Sequence, residues 1–334
     1  MELCPTKPQA FDDHERQIIE MPEWRHIDDG DLQAIAQKVV AHGSALITGP
    51  AGTGKTWLNK LINSLLQGTV VNAAMTHAAS RLMPGGKTIA RLLNVNRYGR
   101  VRDTTFCVDE IGMVPLSTLV RLGSWQLLGS KFIMYGDFQG QFEPIYDQWR
   151  GDVESSGIVR QLAGGLHVHL TTGRRSDLAH FKFYTGLYAK VSHPAQSAVA
   201  MARAQYPWSG EQPAIVLCVS HKKRRRLNAF YNECRDKREG VLARCAAGVR
   251  HHNQPQDMYL KPGMRLLCAC KYSRVLVNGV FYEVVAVCKK FVTVRMCEAY
   301  RRDRTGLPKK DADRADILEG DIVLSHRDAS LALG

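Results

Sequence analysis

Three consecutive segments decide how this chain reads: SALIT (44–48), GPAGTGKT (49–56) and WLNKLINSL (57–65). The first is a short apolar run of the kind a buried parallel strand needs. The third places Trp57, Leu58, Leu61, Ile62 and Leu65 on one face of a helix. Between them, Gly49, Pro50, Ala51, Gly52, Thr53, Gly54, Lys55 and Thr56 fit G-x-x-x-x-G-K-[ST] at every position. Glycines at such a turn let backbone N–H groups face a phosphate, and the following helix directs its positive end at the same point. Lys55 is expected to reach the β- and γ-phosphates of ATP, and the Thr56 hydroxyl to ligate Mg²⁺.

Working outward, Leu32, Ile35, Ala36, Val39 and Val40 share a helical face that ends near Gly43. Downstream, TVVNAA (69–74), TTFCVDE (104–110) and KFIMYGD (131–137) read as buried strands separated by helical stretches. That alternation predicts an α/β fold built on parallel sheet, with ligands at the carboxyl ends of the strands. Asp109 and Glu110 close one of those strands. On a sheet that already carries a phosphate loop, Asp109 is expected to hold Mg²⁺ through water and Glu110 to act as general base. An acidic residue capping a helix is the competing use of such a pair.

Residues 1–27 are polar, contain Pro5, Pro8 and Pro22, and are expected to form a leader packed loosely on a first domain at 28–164. A second α/β domain is expected over 165–334, opened by the strand HVHLTT (167–172) and continued by AIVLCVS (214–220). Within it, residues from about 255 to 300 change character. Short alternating runs around an Asn-Gly turn at 278–279 predict a small antiparallel β-module.

The chain has 334 residues, 45% of them hydrophobic, which suits two domains with real cores and excludes a disordered chain. A formal charge of +13 favours a polyanionic partner, nucleic acid before membrane. Nine scattered cysteines, of which only Cys268 and Cys270 are close, argue for free thiols in a reducing compartment rather than a zinc site. The N-terminus lacks the apolar core of a signal peptide and no run approaches a membrane span. An intracellular, soluble protein is the expectation.

Taken together, these segments resemble superfamily 1 helicases, particularly the RecD/PIF-type branch and its relatives in large DNA viruses. The likeness covers residues 31 to about 330, and is strongest at GPAGTGKT and at the Asp-Glu pair of VDEIGMV (108–114). It implies two RecA-like domains that close on ATP and move along single-stranded DNA, or RNA. A nuclear or viral-replication setting and replication or repair partners would follow from the same likeness.

AAMTHAASRL (73–82) is similar to the family's second motif, in which Thr76 and His77 match positions that touch the strand. GDFQGQFEPI (136–145) resembles G-D-x-x-Q-x-P-P-[VI]. One extra residue leaves Gln141 as the favoured γ-phosphate sensor and Gln139 as the other candidate. LTTGRRSD (170–177) resembles the motif whose arginine reaches the γ-phosphate, with Arg175 at the match and Arg174 as runner-up. Gln33 lies near the position of an adenine-contacting glutamine, with Gln37 as the alternative. Lys222 and Lys223 open a run of cations expected to meet nucleic acid, and Trp125, Trp149 and Tyr272 are aromatic candidates for base stacking. The family's last arginine-bearing segment has no match after residue 320. That departure keeps open a second reading, a nucleic-acid-binding ATPase that does not unwind.

Overall fold

The computed structural model describes residues 21–95, 101–141, 144, 152–188, 195–211, 215–218, 220–233, 237–243, 256–268, 276, 277, 279–297, 321–326 and 329. Seven strands form one sheet: β1 (Arg25–Asp28), β2 (Ala45–Thr48), β3 (Thr69–Ala74), β4 (Lys87–Thr88), β5 (Thr104–Asp109), β6 (Lys131–Gly136) and β7 (Leu166–His169). Their order is β1-β7-β2-β6-β5-β3-β4, and every pairing is parallel. All carboxyl ends therefore lie along one edge.

Helices cover both faces, which is why the central strands are apolar throughout rather than alternating. On one side α1 (Leu32–His42), α2 (Lys55–Leu65) and α3 (His77–Leu82) pack on Ala45, Ile47, Ile133 and Tyr135. On the other, α4 (Ile89–Val95), α5 (Leu116–Gln126) and α6 (Gly157–Leu162) pack on Leu46, Phe106, Phe132 and Met134. Trp125 belongs to this second core, its ring centroid 5.1 Å from that of Phe106. It is a packing residue, not a free stacking platform, while Trp149 and Tyr272 lie outside the described residues. On α2 the buried residues are Leu58, Asn59 and Ile62, and Trp57 is 53% exposed. A stripe centred on Leu58 and Ile62 leaves Trp57 about 120° away on the helical wheel, outside the face first expected to hold it.

Three elements depart from the sequence-based expectation. Arg25–Asp28 is not part of a loose leader but a strand, paired in register with β7 (His26 with His167, Ile27 with Val168). An edge strand needs little apolar content, so RHID carries no recognisable pattern. The segment HVHLTT does not open a second domain. The strand that overlaps it, Leu166–His169, inserts between β1 and β2, so the first sheet runs across the expected boundary at 164/165. Leu166 and Val168 are drawn into the α1–α2 core, and nothing local to the strand reveals which sheet it joins. Finally, residues 215–218 of AIVLCVS are not strand, and among the described residues there is no second parallel sheet.

The later part carries α7 (Leu178–Tyr188), α8 (Ala195–Gln205), α9 (His221–Tyr231) and a two-stranded antiparallel pair, β8 (Val241–Ala243) with β9 (Met258–Leu260). The β-module is a four-stranded antiparallel sheet, β10 (Arg265–Leu267), β11 (Phe281–Val287), β12 (Phe291–Met296) and β13 (Ile322–Ser325), around fully buried Tyr282. Its last strand lies beyond the expected limit near 300. No helix among the described residues is long and apolar enough to cross a membrane.

Candidate nucleotide-binding site

The carboxyl edge of the sheet gathers the chemistry. β2 runs into the phosphate loop, β5 ends on Asp109 and Glu110, and β6 delivers Asp137. Gly49 has φ +153°, and a Cβ there would stand 2.3 Å from the carbonyl oxygen of Leu170, so only glycine fits. Gly54 caps α2 in the left-handed region with φ 101°. Lys55 Nζ donates to the carbonyls of Gly49 at 2.5 Å and Pro50 at 2.9 Å. Thr53, fully buried, ties the loop with a 2.9 Å bond from Oγ1 to Pro50 O.

The charges around Lys55 oppose one another. Burial pulls its pKa below the usual lysine value, the carboxylates of Asp137, Asp109 and Glu110 push it back up, and Arg175 lowers it. Burial raises Asp109, against a hydrogen bond from the Glu110 amide and the charge of Lys55. Burial also raises Glu110, helped by Asp109 and Asp137 and opposed by Lys55 and Gln141. Two nearby carboxylates in a partly dehydrated pocket disfavour each other's ionisation, which suits a base that must accept a proton.

Glu110 sits in the left-handed region at φ 59°, uncommon for a residue with a side chain and a place where strain accompanies function. Gln141 Nε2 donates to Glu110 Oε2. Gln141 Oε1 is buried without a protein partner, 3.1 Å from where a Cβ on Gly112 would stand. Gln139 is exposed. The extra residue in GDFQGQ is taken up by a turn in which Asp137 accepts from the Gly140 amide at 2.8 Å, and its carbonyl from the Gln141 amide at 3.1 Å.

Arg175 lies beside the loop: its Cβ is 3.3 Å from where a Cβ on Gly52 would be. Arg174 is otherwise engaged, in an ion pair with Asp29 at 2.7 Å and a 2.8 Å bond to Thr53 O. That engagement removes it as the runner-up for the arginine that meets the γ-phosphate. Gln33 is exposed on the first turn of α1, one residue after Leu32, which packs toward Gly54; Gln37 is exposed one turn on.

Thr76 and His77 stand at the carboxyl end of β3. Thr76 caps α3 by accepting from the Ala79 amide at 3.1 Å, which commits its hydroxyl oxygen locally, and both residues are exposed. Lys222 and Lys223 are exposed on the first turn of α9. Lys222 lines an open groove of about 620 Å³ with Arg225, Ala229, Gln256 and Asp257.

For Mg²⁺ the donor set fits. Among the described residues no group of three or more His, Cys, Asp or Glu side chains could hold a metal ion. Mg²⁺ commonly takes only one or two protein oxygens, with the rest from water and phosphates. Thr56, at the second position of α2, and Asp109, at the end of β5, offer the two protein oxygens for it.

Residues to which motif reading gave no role complete the site. Asp29 and Tyr184 touch the loop or its neighbour from far away in sequence, and Asp137 proves to be the carboxylate with the largest charge effect on Lys55.

Residues 29–181 match the family model described as an AAA domain. No curated protein sequence matches significantly. Among solved structures, the chain is similar to a Pif1 helicase from Bacteroides in complex with ADP-AlF3 and single-stranded DNA. There the identity is 18% and the TM-score 0.58, over 81% of this chain and 72% of that one. Another Bacteroides Pif1 structure, bound to single-stranded DNA, gives 18% identity and a TM-score of 0.59 over 80% and 71%. The Pif1 helicase from Candida albicans gives 20% and 0.57 over 90% and 78%. The chain thus has the fold seen in these Pif1 helicases, and its residues 29–181 match an AAA domain.

Proposed function

We propose that the protein hydrolyses Mg-ATP to move along single-stranded nucleic acid, DNA first, as a helicase-type translocase. The observation that carries this reading is the convergence of Lys55, Asp109, Glu110, Gln141 and Arg175 on one phosphate loop at the carboxyl edge of one sheet. The single-stranded DNA and ADP-AlF3 named for the Bacteroides Pif1 complex support the same substrate classes here.

In this reading the loop amides and Lys55 hold the β- and γ-phosphates. Thr56, and Asp109 through water, would hold Mg²⁺, which would supply charge neutralisation for the phosphate oxygens. Water attacks the γ-phosphorus in line as the bond to the ADP oxygen breaks, and Glu110 takes the proton that the water gives up. Gln141 steadies the base through Nε2 and offers Oε1 to the attacking water. Arg175 neutralises charge on the transferring group, a task for which a guanidinium is suited. Thr76 and His77 at the end of β3, and Lys222 and Lys223 on α9, are the proposed contacts to the strand.

The test is ATP turnover with and without single-stranded DNA and RNA, followed by strand separation on tailed duplexes of both polarities. Turnover that nucleic acid does not stimulate sinks the translocase. Stimulated turnover without strand separation favours the non-unwinding ATPase that the unmatched final arginine segment suggests.

A further inference from the structure

Each carbonyl of the phosphate loop from Gly49 to Thr53 accepts a hydrogen bond, and the last three are held by residues more than a hundred positions away. Lys55 takes the carbonyls of Gly49 and Pro50. The Tyr184 hydroxyl donates to Ala51 O at 2.6 Å. The Arg174 amide donates to Gly52 O at 2.9 Å, and its Nη1 to Thr53 O at 2.8 Å.

The Arg174 side chain is itself anchored. Nη2 reaches Asp29 Oδ1 at 2.7 Å and Nη1 reaches Oδ2 at 3.2 Å, the bidentate geometry that a guanidinium gives a carboxylate. Asp29 Oδ2 also accepts from the amides of Thr171 at 2.9 Å and Thr172 at 2.6 Å. The Asp29 side chain is only 6% exposed, so this is a built joint and not a loose surface pair.

We propose that Arg174 and Tyr184, with Asp29 as their anchor, are positioning residues that brace the outside of the phosphate loop. In a planar trans peptide the N–H points opposite to the preceding C=O. Fixing the carbonyls of Ala51 and Thr53 on the brace therefore turns the N–H groups of Gly52 and Gly54 away from it, where a phosphate is to be held. The loop thus meets its ligand with its dipoles already set, and ordering them costs nothing at binding. The same segment carries Arg175, so the brace also fixes how far that guanidinium stands from the loop. Glycine at 52 and 54 permits the approach: added Cβ atoms would lie 3.1 Å from the Tyr184 hydroxyl and 3.4 Å from Arg174 Cδ.

This inference rests on the loop binding ATP, and the experiment separates the two. Tyr184→Phe, Arg174→Lys and Asp29→Asn are compared with the full chain for affinity to fluorescent mant-ADP, ATP turnover and thermal midpoint. Losing one hydrogen bond in Tyr184→Phe is expected to weaken mant-ADP about fivefold and raise KM for ATP, with kcat near that of the unaltered chain. Arg174→Lys keeps the charge but loses the fork, so both KM and kcat worsen, each by about tenfold, because Arg175 is loosened as well. Asp29→Asn keeps an acceptor for the Thr171 and Thr172 amides and falls between the two. If the variants lose thermal stability yet keep nucleotide affinity and KM, the residues are merely structural and the brace is wrong. If the unaltered chain shows no mant-ADP binding that Lys55→Ala removes, the ATP reading itself fails and takes the brace with it.

Discussion

Gln141 Nε2 donates to the carboxylate of Glu110, joining the loop after β6 to the end of β5 across the floor of the site. Burial and the charges of Asp109 and Asp137 push the Glu110 pKa up, while this bond and Lys55 hold it down. A general base works only when deprotonated, so activity is lost as pH falls through its pKa. The acid limb of kcat is expected above the ordinary glutamate range of about 4.3. Gln141→Leu removes a donor that favours the carboxylate, so the limb should move to still higher pH while kcat drops. A pH profile of turnover for both proteins checks this. An unmoved limb means that Gln141 does not tune the base.

Binding and turnover should separate at the two ends of the site. Lys55 contributes charge to the phosphates in both ground and transition state, so Lys55→Ala should abolish detectable nucleotide binding together with turnover. Glu110→Gln keeps the size of the side chain and removes only the base. It should bind mant-ADP with nearly unchanged affinity and lose turnover by about 10² to 10⁴, the usual contribution of general-base catalysis. Normal turnover in Glu110→Gln would assign the proton to another group.

The phosphate loop was legible because everything that defines it lies within eight consecutive residues flanked by a strand and a helix. The Asp109-Glu110 pair was legible for the same reason. What the sequence could not disclose is long-range. Asp29 and Arg174 meet across 145 positions, and nothing in either neighbourhood reveals that they pair. Leu166–His169 shows strand alternation, but its place between β1 and β2 is set by parallel pairing and by the core beneath Leu166 and Val168. Ile322–Ser325 likewise joins the β-module by pairing antiparallel to β12 across an intervening stretch of polar sequence. Periodicity identifies a strand, but its partner is a tertiary fact.

Gly49 provides a stability test with an internal control. At φ +153°, and with a Cβ position 2.3 Å from a backbone oxygen of the neighbouring strand's exit, Gly49→Ala must displace either the loop or Leu170. Its thermal midpoint should fall by several degrees, in line with about 1–3 kcal/mol for overpacking, and nucleotide binding should be lost. Gly30→Ala, with nothing within 4 Å of the added carbon, should leave the midpoint within a degree or two. Equal midpoints for the two variants would show that the loop yields without cost.

The first turn of α9 places Lys222 and Lys223 in solvent, capped by Ser220, whose hydroxyl accepts from the Lys223 amide at 3.2 Å. The two ammonium groups are thus presented outward by a fixed helix end, beside Arg225 in the groove. If they contact phosphates of a single strand, each contact contributes about 0.7 to the slope of log affinity against log salt. The Lys222→Ala, Lys223→Ala double variant should weaken single-stranded DNA binding at low salt and flatten that slope by about 1.4, without changing mant-ADP affinity. Neither group touches the phosphate loop among the described residues, so a change in nucleotide affinity without DNA would point to misfolding rather than lost contacts. A salt slope identical to that of the unaltered chain would place the strand on another face, leaving α9 as a solvated basic helix.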